Sequence, residues 1–211
     1  MRILCITAIM MMICSLSFAQ TVLEDWEDWA TWEKPGGVFQ DPNYSGSTSG
    51  LDLASAWASE ETIIAPGGST MSGRLDLTWT AVSNGFVRAT CYPTRPVFDG
   101  STTGYLTCWI YAGANTGQLT YSWVPRDGQY EQSEIRSVNW SGWAHKGIDL
   151  NTETFTGWVN GDGTLVLSAT NDYEAFFVYQ NEQGAVTSTL YFDDFVADTS
   201  LPVELSVFAS E

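Results

Sequence analysis

Short stretches that alternate apolar and polar residues recur along this chain, broken at roughly ten-residue spacing by glycine-centred turn signals. No other feature constrains the fold as much. Leu75, Leu77 and Trp79 alternate with Asp76, Thr78 and Thr80, a period of two that turns one set of side chains into a core and the other away from it. Similar stretches run over 86–91, 105–111, 119–124, 164–169, 175–179 and 189–196. Between them stand Gly67-Gly68, Asn84-Gly85, Asp99-Gly100, Asp127-Gly128 and Gly161-Asp162-Gly163, residue types that tolerate the positive φ of tight turns. The pattern predicts an all-β chain, a jelly-roll β-sandwich of two antiparallel sheets. The one helix-like window, 51–61, is bordered by Ser/Gly-rich sequence and reads equally well as strand and loop.

The N-terminus has the build of a cleavable export signal over residues 1–19: Arg2, an apolar run over 3–13, then small residues at Ser17 and Ala19. The run is too short for a bilayer span, which needs ~20 residues, so no membrane insertion is expected. Met11-Met12-Ile13 before Cys14 lack the small side chains of a lipid-attachment signal. The expected location is therefore secreted, or the outer cell surface. Residues 20–198 fit one sandwich domain. Residues 199–211 read as a linker or the start of a truncated C-terminal module, because Pro202 marks a break and the apolar alternation after it has no partner left to pair with. Pairing of that segment with another copy would give self-association.

With 25 acidic and 8 basic residues the chain carries a formal charge of −17, which repels phosphate backbones and anionic membranes. Nucleic acid is excluded as a partner on this ground. Neutral ligands, cationic ligands or a divalent cation suit such a surface. Cys5 and Cys14 fall in the signal, leaving Cys91 and Cys108. An even number in an oxidising compartment, mirrored about Asp99-Gly100, suggests a disulfide across a hairpin; two separately buried thiols are the alternative.

Three segments carry a resemblance. Leu23-Glu24-Asp25-Trp26-Glu27-Asp28 with Trp32, Asn139-Trp140-Ser141-Gly142-Trp143 with Ile148-Asp149-Leu150, and Leu190-Tyr191-Phe192-Asp193-Asp194-Phe195 resemble, in order, the opening, middle and closing motifs of jelly-roll carbohydrate-binding domains. The resemblance implies the sandwich fold and polysaccharide binding without catalysis. It also implies a structural Ca2+ held where the opening and closing acids meet, with Glu27 and Asp194 as first ligands and Asp25 and Asp193 as second. Leu201-Pro202-Val203-Glu204-Leu205-Ser206-Val207-Phe208 resembles the onset of C-terminal regions in surface proteins exported by the type IX system.

Ten Trp and nine Tyr are enough to fill a core and still leave platforms on which the apolar face of a pyranose can stack. On the stretch 105–111 one face carries Tyr105, Thr107, Trp109 and Tyr111 and the other Leu106, Cys108 and Ile110. If the second set is core, the first is the expected ligand face, with Arg88 and Gln180 as hydrogen-bonding neighbours. Trp140 and Trp143 read as structural. Catalytic signals are thin: the one histidine, His145, reads as part of an exposed turn, no Gly-x-Ser-x-Gly elbow occurs, and Glu131 and Glu134 have the odd spacing of opposite strand faces. A polysaccharide hydrolase or lyase would need two facing carboxylates or an Arg/Tyr cluster. A structural or adhesive surface domain is the other alternative.

Overall fold

The computed structural model describes residues 20–29, 37–44, 50–80, 86–180 and 184–200. The export signal, the Asn84-Gly85 turn and the segment 201–211 lie outside them. The described residues form β1 (Thr21–Glu24), β2 (Ala56–Glu60), β3 (Ser72–Thr78), β4 (Phe86–Thr90), β5 (Val97–Phe98), β6 (Tyr105–Ala112) and β7 (Leu119–Arg126). There follow β8 (Tyr130–Ser133), β9 (Arg136–Ser137), β10 (Gly142–Asp149), β11 (Phe155–Trp158), β12 (Asn171–Gln180) and β13 (Thr187–Asp198).

These strands make two antiparallel sheets. The first has the order β10-β6-β13-β3-β2, with β1 added to β13; the second has the order β11-β8-β7-β12-β4, with β5 on β12 and β9 on β7. The all-β sandwich expected from the alternation is thus the observed fold. The window 51–61 contains strand β2. The stretch 164–169, by contrast, is not a strand. Side-chain acceptors take its backbone N–H groups: Asp162 that of Thr164 (2.9 Å), Asp127 that of Val166 (2.7 Å) and Asn171 that of Ser168 (2.6 Å), which replaces a strand ladder with local pinning.

The core lies between the sheets and is rich in rings. Phe176 of β12 meets Phe192 of β13 at 5.0 Å between centroids, Trp123 of β7 meets Phe176 at 4.8 Å, and Phe39 stacks on Trp26 at 5.5 Å and on Phe176 at 5.9 Å. Both long central strands carry a bulge, between Tyr173 and Ala175 in β12 and between Asp193 and Val196 in β13. The extra residue shifts the alternation. Phe192 and Phe195, three apart, therefore both reach the core, as do Tyr173 and Phe176.

The expected disulfide is absent: Cys91 and Cys108 are both free and buried. Their mirrored positions do not form a hairpin, because β5 pairs with β12 in the second sheet while β6 pairs with β10 and β13 in the first. Cys91 pairs with Phe39 and donates its N–H to the Glu174 carbonyl at 2.6 Å. Burial pushes both thiols well above their ordinary range, so they are inert small apolar groups.

Trp26 lies flat against Gly73, which faces Phe192 across β3 and β13. A Cβ at Gly73 would come within 2.2 Å of the indole Cδ1 and Nε1 of Trp26. Gly73→Ala is therefore expected to lower stability by about 1–3 kcal/mol or more through overpacking, read as a drop in the denaturant midpoint. Stability equal to the parent protein would mean that Trp26 does not pack there.

Candidate functional site

A sandwich has two outer faces, and both of them here carry aromatic rings. On the first sheet, Leu106, Cys108 and Ile110 point into the core as expected. Tyr105, Trp109 and Tyr111, each partly exposed, point outward, whereas Thr107 of the same alternating set is buried. Register places Trp109 between His145 and Asp193, and Tyr111 between Trp143 and Tyr191. The rings engage one another: Trp109 stacks on His145 at 4.7 Å, and Tyr111 meets Trp143 and Tyr191 edge-on at 5.5 and 5.4 Å. His145 is thus a strand residue of β10 and not part of a turn. Trp140 packs against the core and donates its indole N–H to the Ile110 carbonyl at 3.2 Å.

The two expected neighbours lie elsewhere. Arg88 is on β4 of the second sheet, facing away from the core. Gln180 is wholly buried at the end of β12, where its amide donates to the Gly184 carbonyl at 3.1 Å. The five residues therefore do not share one surface.

The outer face of the second sheet holds a small apolar cluster of its own. Val124, Ala175 and Phe177 are buried there although they point away from the sandwich core, and Phe86, Tyr130, Trp158 and Tyr179 partly cover them. Trp158 meets Phe177 edge-on at 4.7 Å and Tyr130 at 5.3 Å; Phe86 lies 5.5 Å from Phe177 and 5.4 Å from Tyr179. Two guanidinium groups lie on these rings, Arg88 at 5.2 Å from the Trp158 centroid and Arg126 at 4.4 Å from that of Tyr130, distances at which a cation is attracted to the ring face. Asp172 anchors Arg126 at 3.1 Å. Gln132 donates to the Ser122 hydroxyl at 3.0 Å and to that of Tyr179. Chemically, this is a floor of partly exposed rings edged with fixed polar groups.

Sequence reasoning missed this face for an identifiable reason. In Ala175-Phe176-Phe177-Val178-Tyr179 both alternating sets are apolar, so period two cannot tell the core set from the outer one. Trp158 sits in a four-residue strand, too short to show a period.

The four acids of the implied calcium site lie near the junction of β1 with β13. Asp193 is wholly buried and accepts the Ala65 N–H at 3.3 Å. Burial and the neighbouring charge of Asp194 push its carboxyl up to about 7. Asp194, in the bulge with φ of 46°, is raised by burial and then by Asp25 and Glu27. Glu27 accepts the N–H groups of Thr70 (2.7 Å) and Met71 (3.0 Å) and the Thr70 hydroxyl. Burial opposes these bonds, yet they hold its carboxyl below the ordinary value. Among the described residues no three His, Cys, Asp or Glu side chains stand together at metal-holding distances.

Glu131 is buried and accepts the N–H groups of Asp162 and Gly163 at 3.0 and 2.9 Å, which fixes a turn, while Glu134 is exposed.

Three solved structures have the same fold. The family 11 carbohydrate-binding module of the cellulosomal cellulase Lic26A-Cel5E of Clostridium thermocellum aligns with a TM-score of 0.54 at 14% identity, covering 89% of this chain and 99% of that one. A family 11 module from Clostridium thermocellum, in complex with a β-1,3-1,4-mixed-linked tetrasaccharide, aligns at 0.52 and 15%, covering 86% and 96%. The Caldicellulosiruptor saccharolyticus module CBM27-1, in complex with mannohexaose, aligns at 0.56 and 13%, covering 88% and 100%. This chain has the β-sandwich fold of carbohydrate-binding modules. No family model matches the chain, and no curated protein sequence matches it. Among the described residues no helix is long and apolar enough to cross a membrane.

One acid at this end of the fold gives a direct test of the electrostatics. Glu24, buried at the end of β1, accepts the Trp26 N–H at 2.8 Å. Burial, ahead of the charges of Asp25 and Asp28, raises its pKa from 4.5 to about 7. A carboxyl raised in the folded state stabilises fully below its unfolded pKa, and that contribution is lost as pH climbs through the folded value. Unfolding free energy should therefore fall between about pH 4.5 and 7. Glu24→Gln should remove on the order of 1–3 kcal/mol of that fall, read by denaturant titrations at pH 5 and pH 8. Parallel pH profiles for parent and variant would refute the assignment.

Proposed function

We propose that this chain is an exported, non-catalytic polysaccharide-binding domain, and that the glycan lies across the outer face of the second sheet. The observation that carries the reading is the set of partly exposed rings Phe86, Tyr130, Trp158 and Tyr179 on a face that the sandwich core does not use. Such rings stack on the apolar faces of pyranoses. Arg88, Arg126 and Gln132 lie beside them to meet the hydroxyls, Gln132 being held by its bond to the buried Ser122 hydroxyl. The shared fold with modules seen in complex with a mixed-linked tetrasaccharide and with mannohexaose supports it, and the signal-like residues 1–19 support export. The face of Tyr105, Trp109 and Tyr111 is the second candidate, favoured by its partly exposed ring pairs.

One experiment separates the faces: retention of the exported protein on a panel of insoluble and gel-embedded β-glucans and mannans. Trp158→Ala is expected to weaken retention at least tenfold, ~1.4 kcal/mol, while Trp109→Ala leaves it near the parent value. The opposite outcome moves the platform to the first sheet. Retention that survives both changes, or is absent from the parent, overturns the reading.

We also propose that Asp194, with Asp25, Glu27 and Asp193, holds a calcium ion. The support is electrostatic: burial and Asp194 raise Asp193, burial with Asp25 and Glu27 raises Asp194, and a cation drawing these carboxylates in would relieve that repulsion. Calcium takes 6–8 oxygens, backbone carbonyls included, and would tie the first strand to the last. Stripping the metal with a chelator should lower the melting temperature, because a ligand at 100 times its dissociation constant adds ~2.7 kcal/mol. Asp194→Asn should abolish the effect. Identical melting curves with and without chelator would remove the site.

A further inference from the structure

At the end of the sandwich where β6 begins and β13 finishes, the loop 99–104 and the residues after β10 line an open cavity of about 540 Å³, within the ~300–1,000 Å³ range of small-molecule sites. Ser101, Thr102, Gly104, Tyr105, Asn151 and Leu167 contribute to it, and among the described residues no Lys or Arg lines it. The loop is held by its own bonds. The Asp99 carboxylate accepts the Ser101 N–H at 3.0 Å, and the Asp99 carbonyl accepts those of Thr102 and Thr103 at 3.2 and 2.9 Å. Gly104 donates to the Asp198 carbonyl at 2.9 Å and accepts the Leu150 N–H at 2.8 Å.

Tyr105, the first residue of β6, lines this cavity and also stands in the outer row of the first sheet. Unlike Trp109 and Tyr111, it is paired with no other ring among the described residues. Register sets Asp149 of β10 on one side of it and Asp198 of β13 on the other. Directly opposed residues share a face, so the two aspartates flank the ring with their Cα atoms about 9–10 Å apart, twice the ~4.8 Å strand spacing. Each uses Oδ1 on its own loop, for the N–H of Asn151 at 2.9 Å and of Ser200 at 3.1 Å, and neither forms an ion pair among the described residues. The hydroxyls nearby are committed in the same sense. Ser101 donates to the Asp99 carboxylate and Thr102 to the Asp99 carbonyl. A hydroxyl has one proton to give, so both can only accept from a ligand.

We propose that this end of the sandwich binds an amino sugar, a hexosamine with a free, protonated amine, its ring on Tyr105, its ammonium on one of the flanking aspartates and its hydroxyls on the other and on Ser101. A site built of acceptors selects a ligand built of donors, and an ammonium offers three donors and no acceptor. Its charge is drawn to carboxylates, to the face of a tyrosine ring and to a chain of net charge −17. An acetylated amine loses that charge and brings a carbonyl acceptor to a place already supplied with acceptors. A neutral hexose keeps the ring contact but not the ion pair. The inference shares no residue with the Trp158 platform and rests on the polysaccharide reading only in taking the ligand to be a sugar.

The test uses small ligands, so that it does not depend on a glycan backbone. The 15N-labelled protein is titrated at pH 6 with glucosamine, N-acetylglucosamine, glucose and methylammonium, and the amide signals of Thr102, Tyr105 and Asn151 are followed. Saturable shifts with glucosamine, and binding at least tenfold weaker for the other three, are expected, the scale on which a hydrogen bond to a charged group discriminates. The paired change Asp149→Asn with Asp198→Asn should erase the preference over glucose. Asparagine keeps an oxygen for the N–H groups of Asn151 and Ser200, so the loops stay capped and the variant reads binding. No saturable shift with glucosamine, binding of any other ligand within tenfold of it, or a preference that survives the paired change would overturn the proposal. Retention of neutral polysaccharide through Trp158 without a glucosamine response refutes this site alone; a glucosamine response without polysaccharide retention refutes the aromatic platform alone.

Discussion

The packing of Phe176 against Phe192, 5.0 Å apart, joins the central regions of the two sheets, and the rest of the sandwich is organised around it. These residues sit on β12 and β13, the ten- and twelve-residue strands that most of their neighbours pair with. Each strand reaches the contact beside a bulge, which places a second ring, Tyr173 or Phe195, in the core three residues away. Tyr173 and Phe195 then meet each other at 4.5 Å. Once these four rings are inward, the outward residues of the same strands are fixed as well: Phe177 and Tyr179 on one face of the molecule, Tyr191 and Asp193 on the other. Core packing therefore decides what each outer face can offer a ligand.

The two faces differ in the polar groups that accompany their rings. At the β1–β13 end of the first sheet the acids Asp25, Glu27, Asp193 and Asp194 gather, and burial with mutual repulsion raises Asp193 and Asp194. The second sheet instead carries Arg88, Arg126 and Arg136, with Arg95 beside it, in a chain with few basic residues. Three of these arginines are tied to carboxylates: Arg95 to Glu174, Arg126 to Asp172, Arg136 to Glu153. Partly exposed ion pairs contribute little to stability, typically below ~1 kcal/mol. Their consequence here is positional, since an anchored guanidinium can present its remaining N–H groups at a fixed place.

The fold was legible in the sequence because strands with one polar face announce their period. Leu75, Leu77 and Trp79 are core residues as their alternation with Asp76 and Thr78 implied, and Leu106, Cys108 and Ile110 likewise. The stretch 164–169 has the same alternation without a ladder, because Asp127, Asp162 and Asn171 bind its amides first; that competition depends on tertiary placement. The acids at the chain's opening and close were named through a family resemblance; the structure brings the charges of Asp25 and Glu27 to bear on Asp194 without a metal-holding cluster among the described residues. The aromatic face of the second sheet was not legible, since strand β12 is apolar on both sides and only its partners determine which side is inner. Cys91 and Cys108 were misread because symmetry about a turn signal says nothing of which sheet each flank joins.

The physical difference between the two ring-bearing faces decides the weight each carries as a ligand surface. On the first sheet Tyr191 is nearly buried, and Trp109 and Tyr111 spend ring surface on His145, Trp143 and Tyr191. What they leave for a sugar has few fixed donors beside it, and the pair Arg74–Asp76 is internally satisfied at 3.0 Å. On the second sheet the buried Phe177 supports Trp158, Phe86 and Tyr179 from below, and the contacts of Phe86 with Tyr179 and of Trp158 with Tyr130 and Arg88 hold these rings in place. Their orientation is then set in advance, which lowers the entropy that ordering them on any ligand would cost. Arg88 of β4 lies over the Trp158 ring of β11, so the outer edges of this sheet are joined across its face.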